Sequence, residues 1–186
     1  MTHFSNPQSS QPLPYSRRHL LRAIAGGGLG AIAMVFLRPA AAAGQDLEEL
    51  CAMFPQNSRC LNYLPGVQAL DAEGNAIALD TFLPMATPGI PEPVQGLPDS
   101  QITYLVIQDG PAIAPYGLRP VCPHRGCAVI WQADQNRFAC PCHGSKFDAQ
   151  GRRLRGPARK PLPLVTVVER QNQIRLIDRA PAVDPR

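Results

Sequence analysis

The chain has no acidic residue among its first 43 positions, although Arg17, Arg18, Arg22 and Arg38 all lie there. It also lacks a long apolar run. The most continuous one, Ala23 to Leu37, is 15 residues, against the ~20 of a free-standing membrane span. Internal repeats and low-complexity tracts are missing, which excludes a solenoid or a linker-like chain. Bases are scarce in residues 44–118, where Arg59 alone is set against nine acids. No histidine lies near Cys51 or Cys60, which argues against a metal site there and for a disulfide. From Gly44 onward 14 bases and 14 acids cancel. The net charge of +4 therefore belongs to the leader, and no nucleic-acid partner is expected.

What is present is informative. A length of 186 residues suits one domain with an appendage. Twenty-one prolines and 15 glycines favour turns over long helices. In the leader, "YSRRHLLRAIAGGGLGAIAMVFLRPAAAAG", paired arginines precede the Gly/Ala-rich run, and small residues follow at Ala40–Ala43. This is the pattern of a twin-arginine export signal, used by proteins that fold before export. That route suits a chain that must receive a metal cofactor first. A core helix with a chance Arg-Arg pair is the alternative, and cleavage or retention as an anchor stays open. His3 and His19 are incidental to the leader. Export places the domain in an oxidising space, so all six cysteines must be paired or metal-bound.

Residues 1–44 are thus read as a signal or anchor, 45–66 as a linker with a Cys51–Cys60 disulfide, 67–180 as the main domain and 181–186 as a tail. The linker opens with a short helix, "DLEELCAMF". A turn is expected at Glu73-Gly74-Asn75 and a loop over residues 84–100. "ITYLVIQ" (102–108) reads as a strand. "AVIWQ" and "RFACP" flank "ADQN", and "LPLVTVVE" and "QIRLID" flank "RQN"; both read as hairpins. The domain is expected to be all-β.

Charge is polarised. Residues 44–118 have a net charge of −8, and residues 119–160, with nine bases against two acids, a net charge of +7. Inside the basic segment lie two knots, "CPHRGC" (122–127) and "CPCHGS" (140–145), at the two ends of one predicted hairpin. Cys122, His124, Cys140 and His143 offer two thiolates and two imidazoles, which suits tetrahedral zinc or an iron–sulfur cluster of mixed ligation. Zinc sites more often use CxxC or HxxxH pairs. In the cluster reading two cysteines hold one iron and two histidines the other. Cys127 and Cys142 would then be left side by side, able to form a disulfide.

The two boxes resemble those of the Rieske family, with Cys122, His124, Cys140 and His143 as ligands of one [2Fe–2S] cluster. The resemblance implies an antiparallel β-sandwich with a small cluster-binding subdomain, here preceded by a helical leader. Residues Leu70 to Ile177 are similar to the Rieske subunit of the cytochrome b/f complex, and "RGPARKPL" to the proline loop over its cluster. Residues 45–66 look like an addition. The resemblance further implies an electron-transfer subunit of a plastoquinol–plastocyanin reductase-type oxidoreductase, in photosynthesis. His124 and His143 would take a proton from a quinol as an electron passes to iron. Partners would be cytochrome b-type membrane subunits and an acceptor cytochrome or plastocyanin. The domain would lie on the lumenal or periplasmic side of a thylakoid or plasma membrane, reaching the membrane through its N-terminal helix if that is not cleaved. The basic segment would favour an acidic acceptor.

Two positions depart from that pattern. Phe147 stands where those subunits usually carry Tyr, whose hydroxyl would bond a ligand sulfur and raise the potential. Ser145 keeps the other donor, aimed by resemblance at a bridging sulfide. Arg125 replaces the usual Leu and is similar to the boxes of Rieske ferredoxins and oxygenases. The alternatives are therefore the small Rieske subunit of another exported oxidoreductase, such as arsenite oxidase, or a ferredoxin-like carrier. Against the ferredoxin stands the Cys127–Cys142 pair, and the chain has no second His/carboxylate iron site.

Overall fold

The computed structural model of the chain describes residues 40–98 and 101–186. The twin-arginine pattern and the apolar run lie outside the described residues. No described helix is long and apolar enough to cross a membrane.

Helix α1 (Ala40–Met53) runs across residue 44. Its end is tied down by the Cys51–Cys60 disulfide, with a Cα–Cα distance of 5.5 Å. Both sulfurs belong to residues with no solvent exposure. The segment is strapped to the domain by charged groups meeting backbone. Glu48 accepts from the Tyr63 hydroxyl at 2.6 Å and from the Gly66 N–H at 2.8 Å. Arg170 donates to the carbonyls of Pro55 and Cys60, and Arg175 to those of Pro65 and Gly66. Burial and the bond to Glu48 push the Tyr63 hydroxyl pKa up, the bond being the larger cause.

The rest is mainly antiparallel β-structure, as the short β-rich runs between turns predict. A six-stranded sheet has the order β1-β10-β9-β4-β3-β2, with β1 (Val67–Gln68), β2 (Glu92–Val94), β3 (Thr103–Gln108), β4 (Ala112–Leu118), β9 (Leu164–Arg170) and β10 (Gln173–Ile177). A short helix, α2 (Leu79–Phe82), precedes β2. The β9–β10 hairpin closes through Gln171 and Asn172, both with positive φ (49° and 60°), as a two-residue turn requires. The Glu73-Gly74-Asn75 turn is held by Asp71, whose carboxylate accepts from the N–H groups of Glu73 and Asn75.

One sequence expectation is corrected and one strand is added. Residues 84–100 are not all loop, because Glu92–Val94 forms β2. Pro93 hid it; it is tolerated because β2 is an edge strand. The sequence also gave no sign of β4, whose Pro115 and Gly117 break the strand pattern.

The second, four-stranded sheet has the order β5-β6-β7-β8: β5 (Ile130–Gln132), β6 (Arg137–Ala139), β7 (Lys146–Phe147) and β8 (Arg153–Arg155). The β5–β6 connection is a 3-10 turn that ends on Asn136 in left-handed conformation. The large sheet is buried on both faces, so its strands read as nearly continuous apolar runs. Leu105, Ile107, Ile113, Val165 and Val167 face one core with α2 and its flanks. Val106, Ala114, Tyr116, Leu118 and Leu164 face the other, shared with Cys122, Phe138, Cys140, Phe147 and Leu162 of the small subdomain. This shared core fixes the small sheet, and with it the two knots, against the large one.

Candidate metal centre

The knots are two near-equivalent loops on either side of the β5–β6 hairpin. In the first, the Cys122 N–H donates to the Cys127 carbonyl and the Gly126 N–H to the Cys122 carbonyl, both at 2.8 Å. In the second, the Cys140 N–H donates to the Ser145 carbonyl at 2.8 Å and the Gly144 N–H to the Cys140 carbonyl at 3.0 Å. Each loop turns through a glycine with φ near 70° (Gly126 75°, Gly144 72°), which explains the shared fifth-position glycine.

This repetition brings the cysteines and histidines together. The Cys127–Cys142 disulfide bridges the two loops, with a Cα–Cα distance of 6.6 Å. Cys122 and Cys140 remain free thiols and are buried, at 1% and 2% exposure. The rings of His124 and His143 meet edge to face, with centroids 4.8 Å apart. His124 is half-buried and His143 exposed. The His124 Nδ1 is buried without a hydrogen-bond partner. An orphaned imidazole nitrogen costs free energy unless something accepts its lone pair. The sulfurs of Cys127, Cys140 and Cys142 lie within 4.8 Å of one another. Two of these are already bonded to each other, so among the three only Cys140 offers a thiolate.

A second layer, invisible to motif reading, fixes the second loop. Ser145 has no exposure, and its Oγ accepts from the Ala158 N–H at 3.1 Å. That bond leaves the hydroxyl proton for another acceptor. Gly156 (φ +102°) passes so close that a Cβ there would sit 2.4 Å from the Ser145 Cα. Arg153 donates to the carbonyls of Ala158 and Gly156. The proline loop is thus pinned to Ser145 from one side and to Arg153 from the other. Its root is held by Arg186, whose guanidinium donates to the carbonyls of Gly151 and Leu162. Arg125 is exposed at the tip, whereas Phe147 is fully buried in the shared core and offers no hydroxyl.

Residues 99–168 match the family model of the Rieske [2Fe-2S] domain. The cytochrome b6-f complex iron-sulfur subunit of Gloeobacter violaceus is 37% identical over 167 residues, covering 84% of this chain and 80% of that protein. The chain belongs to the Rieske family. The subunit of the same name from Synechococcus elongatus is 48% identical over 102 residues, 55% of this chain and only 56% of that one. Among solved structures, the plasma membrane Rieske protein PetC3 of Synechocystis PCC 6803 is similar at 32% identity. It aligns with 45% of this chain and 84% of its own, at a TM-score of 0.39. The prosthetic group of this Rieske protein is a [2Fe–2S] cluster. The donors present fit it: two buried thiols outside any disulfide, and two adjacent imidazoles of which one has an unpartnered buried nitrogen.

Proposed function

We propose that the chain is an exported Rieske electron carrier that takes an electron and a proton from a quinol within a cytochrome b/f-type complex and passes the electron to a cytochrome or plastocyanin. Cys122 and Cys140 would hold one iron, and His124 and His143 the other. When bound, the cluster supplies a one-electron acceptor. The observation that carries the reading is the split of six cysteines into two disulfides and two buried free thiols, the latter in loops whose histidines touch.

The chain's own residues have distinct tasks. His143, exposed at the tip, meets a docked donor and takes its proton on the ring nitrogen not given to iron. His124, whose Nδ1 is buried without a partner, would hold the metal through that atom, leaving Nε2 for the proton. Ser145, with its acceptor lone pair occupied by Ala158, donates its hydroxyl proton to a developing negative charge. The disulfide and the proline loop hold both histidine loops in one geometry and exclude water from Cys122 and Cys140. An N-terminal anchor would keep the domain at a thylakoid or plasma membrane, on the lumenal or periplasmic side.

A second reading rests on Arg125 and Phe147. An exposed cation at the tip replaces an apolar contact that would enter a quinol pocket, and the missing hydroxyl lowers the potential. Both features suit the Rieske subunit of a different exported oxidoreductase. A redox titration of the full chain at several pH values decides between them. A midpoint that falls as pH rises through neutrality, with oxidation of a short-chain plastoquinol, supports the quinol reading. A low, pH-independent midpoint moves the protein to the second. Zinc without iron or acid-labile sulfide contradicts both.

A further inference from the structure

One charged surface has no task in the account above. It is the outer face of the β5–β8 sheet. Directly opposed residues share a face. Trp131, Phe138, Phe147 and Arg153 therefore form the inner row, and Ile130, Ala139, Lys146 and Arg155 the outer one. A register shift in the β7–β8 pairing lets Arg153 join the inner row while Arg155 keeps to the outer one. Arg137, two residues before Ala139, stands on the outer side as well. Lys146 and Arg155 are thus a directly opposed pair of like charges, an arrangement that costs stability.

Among the described residues no carboxylate pairs with Arg137, Lys146 or Arg155. The two nearby acids are engaged: Asp134 accepts from the Gln135 side chain, and Asp148 from the N–H groups of Gln150 and Arg152. Arg137 reaches only the Gln132 amide, at 3.4 Å. The Lys146 ammonium is held below the usual lysine range by desolvation first, then by the guanidinium groups of Arg137 and Arg155, so the three charges act on one another. At the β5 end of the same row Ile130 is 57% exposed.

We propose that this face, built from Ile130, Arg137, Lys146 and Arg155, is the docking surface for an acidic redox protein with which the chain exchanges its electron. The inference rests on the electron-carrier reading and names the surface that reading lacks. Lys146 follows Ser145 in sequence and is paired with Ala139, the residue before Cys140. A partner seated there lies one strand from a proposed ligand. A like-charge pair that costs stability in the free protein becomes favourable once carboxylates face it, and Ile130, at the β5 end of the row, supplies a dry contact at its edge. An anionic lipid surface fits less well, because a flat strand face with one exposed apolar side chain offers no apolar face to insert.

The test is stopped-flow oxidation of the reduced full chain, in which one electron leaves the protein and reduces one equivalent of acceptor. An acidic plastocyanin and a basic cytochrome c serve as acceptors, and a small neutral oxidant as reference. Lys146→Glu, Arg155→Glu and the double reversal are compared with wild type, and Arg59→Glu, exposed in the linker, is the control. At low salt the double reversal should slow the acidic acceptor by about tenfold or more, and the difference should vanish at high salt. The basic acceptor should speed up, and the neutral oxidant and Arg59→Glu should show no change. Arg155→Glu should also raise the melting temperature, since it turns the opposed pair into one of opposite sign.

Equal rates for wild type and double reversal, or an equal effect of Arg59→Glu, would overturn the surface while the neutral oxidant still reports a working carrier. Failure of wild type with the neutral oxidant would remove the carrier reading itself. Reversal-sensitive binding to phosphatidylglycerol vesicles without a rate effect, or reversal-sensitive self-association in sedimentation velocity, would replace the acidic protein by a lipid surface or a second copy.

Discussion

The two sheets reach order by different means. The six-stranded sheet has strands of up to seven residues, buried on both faces, and an antiparallel ladder that a regular apolar pattern specifies. The four-stranded sheet has strands of two or three residues, one of them fully exposed. Its order comes from a disulfide, two glycine-turned loops, and an arginine and a serine that clamp the proline loop. Burial stabilises the first. Covalent and polar cross-links organise the second, whose core includes the buried free thiols of Cys122 and Cys140, the proposed ligands. The contrast assigns stability to one region and chemistry to the other.

Core truncation should separate them most strongly. Phe138→Ala, at the seam between the sheets, should cost about 3–5 kcal/mol and lower cluster content in the folded protein. Leu105→Ala, on the far face of the large sheet, should cost about 2–5 kcal/mol yet leave cluster content near wild type until the chain melts. Thermal unfolding with iron and sulfide assay checks both; equal iron loss in the two variants would break the contrast.

The disulfides sharpen it. Opening Cys127–Cys142, with a sequence separation of 15, by a double Cys→Ser change should cost roughly 3 kcal/mol and loosen the small sheet selectively in hydrogen exchange. A mild reductant should open this bridge first, since Cys142 is exposed whereas Cys51 and Cys60 are not. Uniform loss of protection across both sheets would contradict the account. Next is Gly156→Ala, which brings a Cβ against the Ser145 backbone at a positive φ. It should cost about 1–3 kcal/mol and shift the midpoint potential, whereas Gly110→Ala, with open space around it, should leave the potential unchanged.

Smaller effects follow. Phe147→Tyr should raise the midpoint by on the order of 40 mV, one hydrogen bond of about 1 kcal/mol expressed for a one-electron couple. No upward shift would show that the missing hydroxyl does not set the potential. The smallest effect lies in the large-sheet region. Hydrogen bonds from Asn75 hold the Asp71 carboxyl below its ordinary pKa of 3.8. Its contribution to stability is therefore present above that value and is lost as pH falls through the lower, folded one. Asp71→Asn should flatten the acid limb of the stability curve there and leave neutral-pH potential untouched.

The same contrast explains what the sequence disclosed. β3 and β9 were legible because β-branched and apolar residues run nearly unbroken through them, and β10 because Ile174 and Leu176 alternate with Gln173 and Arg175. β2 and β4 were hidden by Pro93, Pro115 and Gly117. β7 and β8 were hidden because two or three residues are too few to carry a periodic signal, and those of β8 are all exposed. The knots stood out because Cys and His are rare and their spacing is strict. The layer behind them did not, because Gly156 and Ala158 act through backbone groups, and the Arg153 guanidinium binds backbone carbonyls, which any side-chain pattern conceals. Charge polarity along the chain was plain, but its concentration on one sheet face needed the strand register.

The central claim is the ligand set, and the most direct measurement is pulsed electron paramagnetic resonance of the reduced full chain carrying nitrogen-15 histidine. The account predicts strong couplings from two histidine nitrogens, with one lost in each of His124→Cys and His143→Cys. A spectrum without histidine couplings, from an all-cysteine cluster, would contradict it.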